Sequence, residues 1–424
     1  MHQLITELYP ICRSITGDGV RQTLRRLQSY IPLTVHEVPT GTQVFDWTVP
    51  KEWNIRDAYV KNPCGEKVID FQKSSLHVLN YSTPVAAKMP LSELKQHLYT
   101  LPKQPTLIPY RTSYYQENWG FCLTHETLQR LEAAEQAETG DYEIKIDSTL
   151  ADGALTYGEF VLPGESEETV LISCHCCHPA LCNDNLSGIA LSTMLAQQMS
   201  AHPRRYTYRF LFIPGTIGSI TWLALHEREA RQIRHGLVVA CVGDAGAMTY
   251  KKSRRGNAEI DRAVQHVLKT GGAPYKLLDF SPYGYDERQY CSPGFNLPVG
   301  SLTRTPHGQF PEYHTSADNP EFVQPATLAD SLMQYLAVID VLERNRTYCN
   351  LNPMCEPQLG KRGLYSALGG RQETQKNQLA MLWVLNGSDG QQTLLDIAEK
   401  ADLPFTIIAD MAQLLLEHNL LALA

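Results

Sequence analysis

The sequence lacks long hydrophobic runs and any excess of positive charge. No apolar run approaches the roughly 20 residues that a membrane-spanning helix needs. The N-terminal segment MHQLITELYPICRSITGDG has neither the basic start nor the apolar centre of a signal peptide. The formal net charge of -8 and the pI near 6.0 give no basic surface of the kind that neutralises phosphates. We therefore expect a cytoplasmic protein that binds neither membranes nor nucleic acid.

Several catalytic motifs are missing as well. There is no HExxH zinc motif, because His226-Glu227 lacks the second histidine, and no GxSxG nucleophile elbow or P-loop occurs. The eleven cysteines are an odd number, and four of them crowd into positions 174–182, a spacing unlike that of a disulfide framework. These observations disfavour a serine hydrolase and predict reduced thiols.

The hydrophobic pattern changes twice along the 424 residues. Residues 18–31 predict a helix with Asp18 as its N-cap, and short β-rich runs follow. From about residue 168 strands alternate with helices, including a strand GLVVACVGD that extends to residue 244. This alternation predicts an α/β fold with a mainly parallel mixed sheet flanked by helices. The expected domains are an α/β core in residues 1–40 and 160–348, a β-rich inserted subdomain in 41–159 and a winged-helix-like module in 365–424.

The C-terminal module is acidic. Residues 371–424 contain three basic and seven acidic residues, which gives a net charge of -4. Phosphate contacts dominate the affinity of proteins for DNA, so this charge argues against DNA binding. We favour a role in packing or in protein contacts for the winged helix.

The densest polar cluster is the segment HCCHPALCNDN, which contains His175, His178 and Asp184 and lies between a predicted strand and helix. Imidazole and carboxylate groups are the usual ligands of a hydrolytic zinc, and a catalytic site needs about three of them plus an open position. One loop cannot supply them all. Asp244, at the end of a predicted strand, and His314, in PEYHTSADN, are placed to complete the set at the carboxyl edge of the sheet.

At these residues the sequence resembles the zinc aminopeptidases that hold two adjacent metals on an α/β sheet, in a branch with a β-rich insert and a C-terminal winged helix. The ordered motifs are a strand ending in His, an Asp before a helix, PGTIGS, an Asp after the next strand, GYDERQY and YHTSADN. The resemblance implies one or two zinc ions. It implies that His178 or His175 binds one metal and that Asp184 bridges two, with Asp244 and His314 completing the ligands. It also implies that Asp286 and Cys177 lie beside the metal ligands and orient them without binding the metal.

One departure from this family concerns the catalytic base. Relatives carry a Glu-Glu pair, one the base and one a metal ligand, where this chain has Gly215 and Thr216. A metal-bound water could be activated by the metal alone, by Glu312, two residues before His314, or by Glu287, beside Asp286. Loss of a ligand also makes one metal more plausible than two.

Other side chains are candidates for holding the substrate. Arg254 or Arg255 could bind a carboxylate through the forked guanidinium group, although the run KKSRRG is more often a solvated turn. His307 and Tyr313 lie in loops that could contact the substrate. Asp184 could instead cap the following helix, and Asp244 could be a turn residue.

Two functions from different classes follow. The first is metal-dependent hydrolysis of peptide or amide bonds, most simply as an aminopeptidase acting on a small peptide or aminoacyl substrate. The alternative is a catalytically altered aminopeptidase-like protein that binds a peptide, a modified sugar or a protein partner, which Gly215 and Thr216 favour. A homo-oligomer remains open, because the sequence does not reveal the oligomeric state.

Overall fold

The computed structural model describes residues 1–135, 140–364 and 372–424, so residues 365–371 of the predicted C-terminal module lie outside the described residues. The strands are β1 (Thr34–Pro39), β2 (Gln43–Val44), β3 (Trp47–Thr48), β4 (Glu52–Lys61), β5 (Lys67–Asp70), β6 (Val85–Met89), β7 (Leu98–Tyr99), β8 (Phe121–Cys122), β9 (Tyr142–Ala151), β10 (Ala154–Leu162), β11 (Ser166–His175), β12 (Tyr206–Ile213), β13 (Ile233–Val239), β14 (Met248–Lys251), β15 (Tyr275–Leu278), β16 (Val299–Thr303), β17 (Thr347–Asn350), β18 (Asp389–Thr393) and β19 (Leu421–Leu423). The helices are α1 (His2–Leu8), α2 (Asp18–Leu27), α3 (Leu91–Leu94), α4 (His125–Glu135), α5 (Ser187–Ser200), α6 (Ile217–Leu225), α7 (Glu227–Ala230), α8 (Glu259–Thr270), α9 (Glu287–Tyr290), α10 (Pro325–Arg344), α11 (Gln372–Gly387), α12 (Leu394–Ala401) and α13 (Phe405–Glu417).

A large mixed sheet forms the core, with the strand order β1-β10-β12-β11-β13-β16-β14-β15. Its central strands β12, β11, β13 and β16 run parallel, and antiparallel neighbours adjoin them on both sides. Strand β11 is buried without interruption from Thr169 to His175. Such a continuous buried run is expected where helices cover both faces of a parallel sheet. The predicted fold class is confirmed.

The parallel strands end at one edge of the sheet, where the polar loops begin. Strand β11 ends at His175, β12 at Ile213 and β16 at Thr303. Strand β13 ends at Val239, whereas the sequence pattern predicts that it extends to Asp244. The chain leaves the sheet early because Cys241 has φ 50°, a left-handed conformation that no strand accommodates. Cys241, rather than Asp244, therefore lies closest to the end of this strand.

The first predicted helix also starts differently. Its N-cap is Gly17, and Asp18 is the first helical residue, where its carboxylate pairs with Arg21 at 3.1 Å. A side chain at position 17 is excluded, because an added Cβ would lie 2.0 Å from the carbonyl oxygen of Trp53 and the backbone has φ 98°. The prediction that Asp18 caps this helix is wrong, and Asp18 instead interacts with the positive end of the helix dipole.

The β-rich insert is built on an antiparallel sheet of order β5-β4-β9-β6. A later segment of the insert reaches the edge of the large sheet. There the backbone N–H of Tyr110 donates to the carbonyl of His314 at 2.8 Å, and Ser316 N donates to the carbonyl of Ile108 at 2.9 Å. The insert thus contacts the same edge at which the parallel strands end.

The C-terminal part contains helices α11, α12 and α13 and a small sheet of order β18-β17-β19. Its acidic residues meet basic residues of the core: Arg262 pairs with Asp396 at 2.6 Å, and Lys269 pairs with Asp402 at 2.7 Å. Ion pairs with the core therefore neutralise part of the negative charge of this module.

Candidate metal centre

The carboxylate of Asp184 lies at the centre of the polar cluster. The Nε2 atom of His175 is 2.8 Å from Asp184 Oδ1, and the Nε2 atom of His314 is 3.0 Å from Asp184 Oδ2. His175 is the last residue of β11, while Asp184 lies in the tight turn Cys182–Leu186 before α5. Helix α5 starts after Leu186 as its N-cap, so Asp184 does not cap it. Each carboxylate oxygen is thus faced by a histidine from a different part of the chain.

His178 completes this group. Donor atoms of His175, His178 and Asp184 all lie within 4.8 Å of one another, and all three residues are buried. Burial lowers the pKa of His178 well below its usual value, so its imidazole is neutral, the form that binds metals. Burial opposes ionisation of Asp184, but His178 and His175 hold its pKa well below the ordinary range. The cluster therefore combines the neutral imidazole of His178 with the ionised carboxylate of Asp184.

A second set of donors shares Asp184. Donor atoms of Asp184, Cys241 and His307 also lie within 4.8 Å of one another. The Nδ1 atom of His307 is 3.5 Å from the sulfur of Cys241 and 3.9 Å from Asp184 Oδ1. His307 was expected only as a substrate contact, and Cys241 was not singled out in the sequence. The sequence carries little signal for Cys241, because the predicted strand runs through it to Asp244.

Asp244, expected as a metal ligand, belongs to neither group among the described residues. Its oxygens accept hydrogen bonds from Asn183 Nδ2 at 3.0 Å, Thr305 Oγ1 at 2.6 Å and Gly246 N at 2.7 Å. The bond to Gly246 is that of a turn residue, the alternative interpretation of Asp244. The carboxylate is engaged in holding the loops after β13 and β16 together, and its role as a ligand remains a prediction.

Tyr285 explains why position 215 is glycine. A Cβ added at Gly215 would lie 2.0 Å from the Tyr285 ring, which packs against His175 with the ring centroids 4.2 Å apart and the planes inclined by 50°. The Tyr285 hydroxyl lies 3.5 Å from the sulfur of Cys177, which in turn is 3.6 Å from His178 Nδ1. The aromatic ring fills the space that a side chain at position 215 would need. Cys177 contacts His178, a candidate metal ligand, and the family resemblance implies that Cys177 supports such a ligand.

Asp286 and Glu287 lie behind this layer. Asp286 accepts a hydrogen bond from Ser219 at 2.8 Å, and burial raises its pKa to about 7. Its Oδ2 atom has no hydrogen-bond partner in the part of the chain that the structure describes. Glu287, a candidate base, is buried and pairs with Lys251 at 2.9 Å. The other candidate base, Glu312, is partly exposed and lies two residues before His314.

The remaining predicted substrate contacts lie in different places. Tyr313 stacks on His314, with the ring centroids 3.9 Å apart and the planes inclined by 12°. Arg254 and Arg255 instead hydrogen-bond to Asn296, at 3.0 and 2.9 Å, on the exposed surface. Tyr313 therefore belongs to the metal centre, and the two arginines are engaged with a surface loop. Their roles in substrate binding remain predictions.

Two buried residues hydrogen-bond to the first loop, residues 175–186, which runs from the end of β11 to the start of α5. Neither of them was assigned a role from the sequence. Asp318 accepts the backbone N–H groups of Cys182 and Asp184, at 3.1 and 3.0 Å. Arg13 donates from Nε to the carbonyl oxygen of His178 at 2.8 Å. Asp318 lies in the quoted motif YHTSADN, so the motif did contain a signal for it. Nothing distinguishes Arg13 in the sequence.

An aromatic side chain from the insert covers the centre. The ring of Tyr110 packs against His178 and His314, with centroids 5.2 and 5.0 Å away, and its hydroxyl lies 2.6 Å from that of Tyr114. Aromatic cover excludes water from one side of the cluster and strengthens the electrostatic interactions within it.

The fold and the site together define an aminopeptidase-like α/β protein. The chain belongs to the family described as a domain of unknown function, DUF4910, whose model matches residues 2–345. A winged helix-turn-helix model matches residues 346–423, as the sequence pattern predicts for the C-terminal region.

Relatives agree with this assignment. A protein of Clostridium acetobutylicum, named for polysaccharide biosynthesis and an aminopeptidase-like domain, is 54% identical over 423 residues, covering 100% of this chain and 96% of that protein. A crystal structure from Clostridium acetobutylicum, named as a peptidase, matches with TM-score 0.94 and 53% identity over 100% of this chain and 96% of that chain. A zinc aminopeptidase of Bacillus subtilis matches with TM-score 0.57 and 12% identity over 80% of this chain and 93% of that chain, which shows a shared fold alone.

No helix within the described residues is both long and apolar enough to cross a membrane.

Proposed function

We propose that this protein is a metal-dependent hydrolase of peptide or amide bonds, with zinc as its metal, and that it acts as an aminopeptidase. The observation that carries the proposal is the arrangement around Asp184, whose two oxygens each face a histidine nitrogen at 2.8 and 3.0 Å. Two donors on one tetrahedral zinc are about 3.3–3.6 Å apart, because bonds from zinc to nitrogen or oxygen are about 2.0–2.2 Å. Small movements of the imidazoles would therefore admit an ion.

The donor set also fits zinc chemically. It consists of imidazoles and one carboxylate, which are the common ligands of hydrolytic zinc, in a buried position at the carboxyl edge of a parallel sheet. A bound zinc would supply Lewis acidity toward a carbonyl oxygen and toward a water molecule. The residues of the chain orient these donors, and Tyr110 and Tyr285 exclude solvent from beside them.

Glu312 is the better of the two candidates for the base. The carboxylate of Glu287 is buried and is occupied by its ion pair with Lys251. Glu312 is partly exposed on the loop that carries His314, and nothing comparable holds it in place among the contacts of the described residues. We propose that Glu312 accepts the proton that hydrolysis releases.

The substrate is a small molecule with an aminoacyl or acylamido group. The name of the Clostridium acetobutylicum relative points to polysaccharide biosynthesis, which favours a substrate in which the amide is attached to a sugar. We retain the cytoplasm as the expected location.

The experiment has a binding arm and an activity arm. Purified protein should retain zinc, and His178→Ala and His314→Ala should each retain clearly less of it, whereas His202→Ala, at an exposed position, should retain the same amount. Zinc-loaded protein should release product from a panel of aminoacyl amides and N-acyl amino sugars, and Glu312→Gln should slow that release by about 10²-fold or more. Equal, near-zero zinc in all four proteins would overturn the proposal.

The second candidate is a binding protein without catalysis. The ring of Tyr285 fills the space beside Gly215, where relatives with the glutamate pair carry a carboxylate. Zinc retention together with no product from any amide would favour this candidate over the hydrolase.

A further inference from the structure

The donors around Asp184 fall into two sets that share its carboxylate. His314 faces Oδ2, and the ring of His178 lies beside that of His314, with the centroids 5.2 Å apart. His307 Nδ1 lies 3.9 Å from Oδ1, the oxygen that also faces His175 Nε2 at 2.8 Å. The two sets therefore share the carboxylate, with His314 at Oδ2 and both His175 and His307 near Oδ1.

The second set contains a sulfur atom. The Cys241 sulfur and His307 Nδ1 are 3.5 Å apart, and both donors lie within 4.8 Å of an Asp184 oxygen. A sulfur and a nitrogen bound to one tetrahedral zinc are separated by about 3.5 Å, since the two bond lengths are about 2.3 and 2.0–2.1 Å. The observed separation already matches that of two ligands on one ion.

We propose that Asp184, Cys241 and His307 form a second metal subsite, with Asp184 bridging it to the first ion and Cys241 as a thiolate ligand. This inference rests on the proposed function, because Asp184 is shared. The Cys241 thiol would release its proton to solvent as the zinc–sulfur bond forms. A chain that lacks the carboxylate pair at positions 215 and 216 would in this way still bind two ions, with a softer ligand set around one of them.

The main competing explanation is an ordinary buried cysteine. Cys241 packs with Ala240 and Phe310, and its thiol could simply donate a hydrogen bond to His307. The two explanations differ in whether sulfur contacts metal, which spectroscopy reports directly and independently of enzyme activity.

The test uses the full-length protein loaded with zinc or with cobalt(II). We expect about two metal ions per chain, a zinc–sulfur shell near 2.3 Å in X-ray absorption, and a thiolate-to-cobalt charge-transfer band. Cys241→Ser should remove the sulfur signals and about one metal ion. Cys122→Ser, at another fully buried cysteine in the insert, should leave both unchanged.

Two further variants separate this inference from the proposed function. His314→Ala should lose the first ion yet keep the sulfur signals, and His307→Ala should weaken the second ion even if Cys241→Ser fails to fold. One ion per chain without any sulfur signal would overturn the second subsite and leave the hydrolase proposal standing. Absence of metal from the unmodified protein would overturn both.

Discussion

Two loops supply the histidines of the candidate metal centre. The first loop comprises residues 175–186, from the end of β11 to the start of α5, and the second comprises residues 304–324, between β16 and α10. The two loops differ in burial. In the first loop, His175 and Asp184 are 0% and 1% exposed, and buried polar groups fix the backbone around them. In the second loop, the side chains of His307 and His314 are 20% and 30% exposed. The first loop is the rigid base of the site, and the second forms its accessible side. Substitutions in the first loop should therefore affect metal binding and stability together, whereas those in the second should act mainly on ligands and substrate.

The largest effect is expected for Asp184→Asn. Asparagine keeps the size of the side chain but removes the charge that both sets of donors share. Substitutions of groups that only support metal ligands typically cost about 10–100-fold in metal affinity, so loss of the shared ligand should exceed about 100-fold. Competition with a chelator would measure this effect. Retention of zinc with near-normal affinity would show that Asp184 is not at the centre of the site.

Asp318→Asn should have the next largest effect, because Asp318 connects the two loops. Cys182 N donates to one carboxylate oxygen of Asp318 and Asp184 N donates to the other, and the amide nitrogen of asparagine can accept neither bond, so one of the two is lost. We expect a loss of about 1–3 kcal/mol in the free energy of unfolding and about 10–100-fold in metal affinity. Denaturant titration and chelator competition would test this. The control is Asp279→Asn, whose side chain is 93% exposed.

Gly215→Ala tests whether the Tyr285 ring fills the space beside Gly215. The added methyl group would overlap the Tyr285 ring, and overpacking of this kind costs about 1–3 kcal/mol. In a double-mutant cycle with Tyr285→Ala, the two changes should compensate each other in part. Strict additivity of the two unfolding free energies would contradict the proposed contact.

The smallest effect on stability is expected for Tyr313→Phe in the second loop. The ring stacked on His314 is retained, and the position is partly exposed, so the free energy of unfolding should change by less than about 0.5 kcal/mol. A raised KM without a change in melting temperature would support a substrate contact by the hydroxyl. A large loss of stability would contradict the distinction between the loops.

The sequence predicts the core of this arrangement because its residues follow regular strands. The run before His175 is apolar and ends at a polar cluster, and this pattern is enough to place the first loop at the edge of a parallel sheet. The proximity of His314 to Asp184 could also be predicted, because each residue lies in a loop that follows a parallel strand of the same sheet, β16 and β11 respectively. The α/β fold and the winged helix were predicted for the same reason.

The misplaced residues have local causes. The left-handed conformation of Cys241 ends β13 early, and no pattern of apolar residues reveals a backbone angle. A single cysteine in an apolar run also looks like any core residue, so Cys241 gave little signal. Tyr110 comes from the insert, roughly two hundred residues before His314 in the chain, and only tertiary structure brings the two together.

The hydrogen bonds between Tyr110 and His314, and between Ile108 and Ser316, have a practical consequence. They connect the loop that carries His314 to the predicted inserted subdomain, a segment that lies far from this loop in the sequence. A shortened protein without residues 41–159 would expose the imidazoles to water and free the loop that carries one of them. Residues of the predicted insert therefore form part of the surroundings of the candidate metal centre.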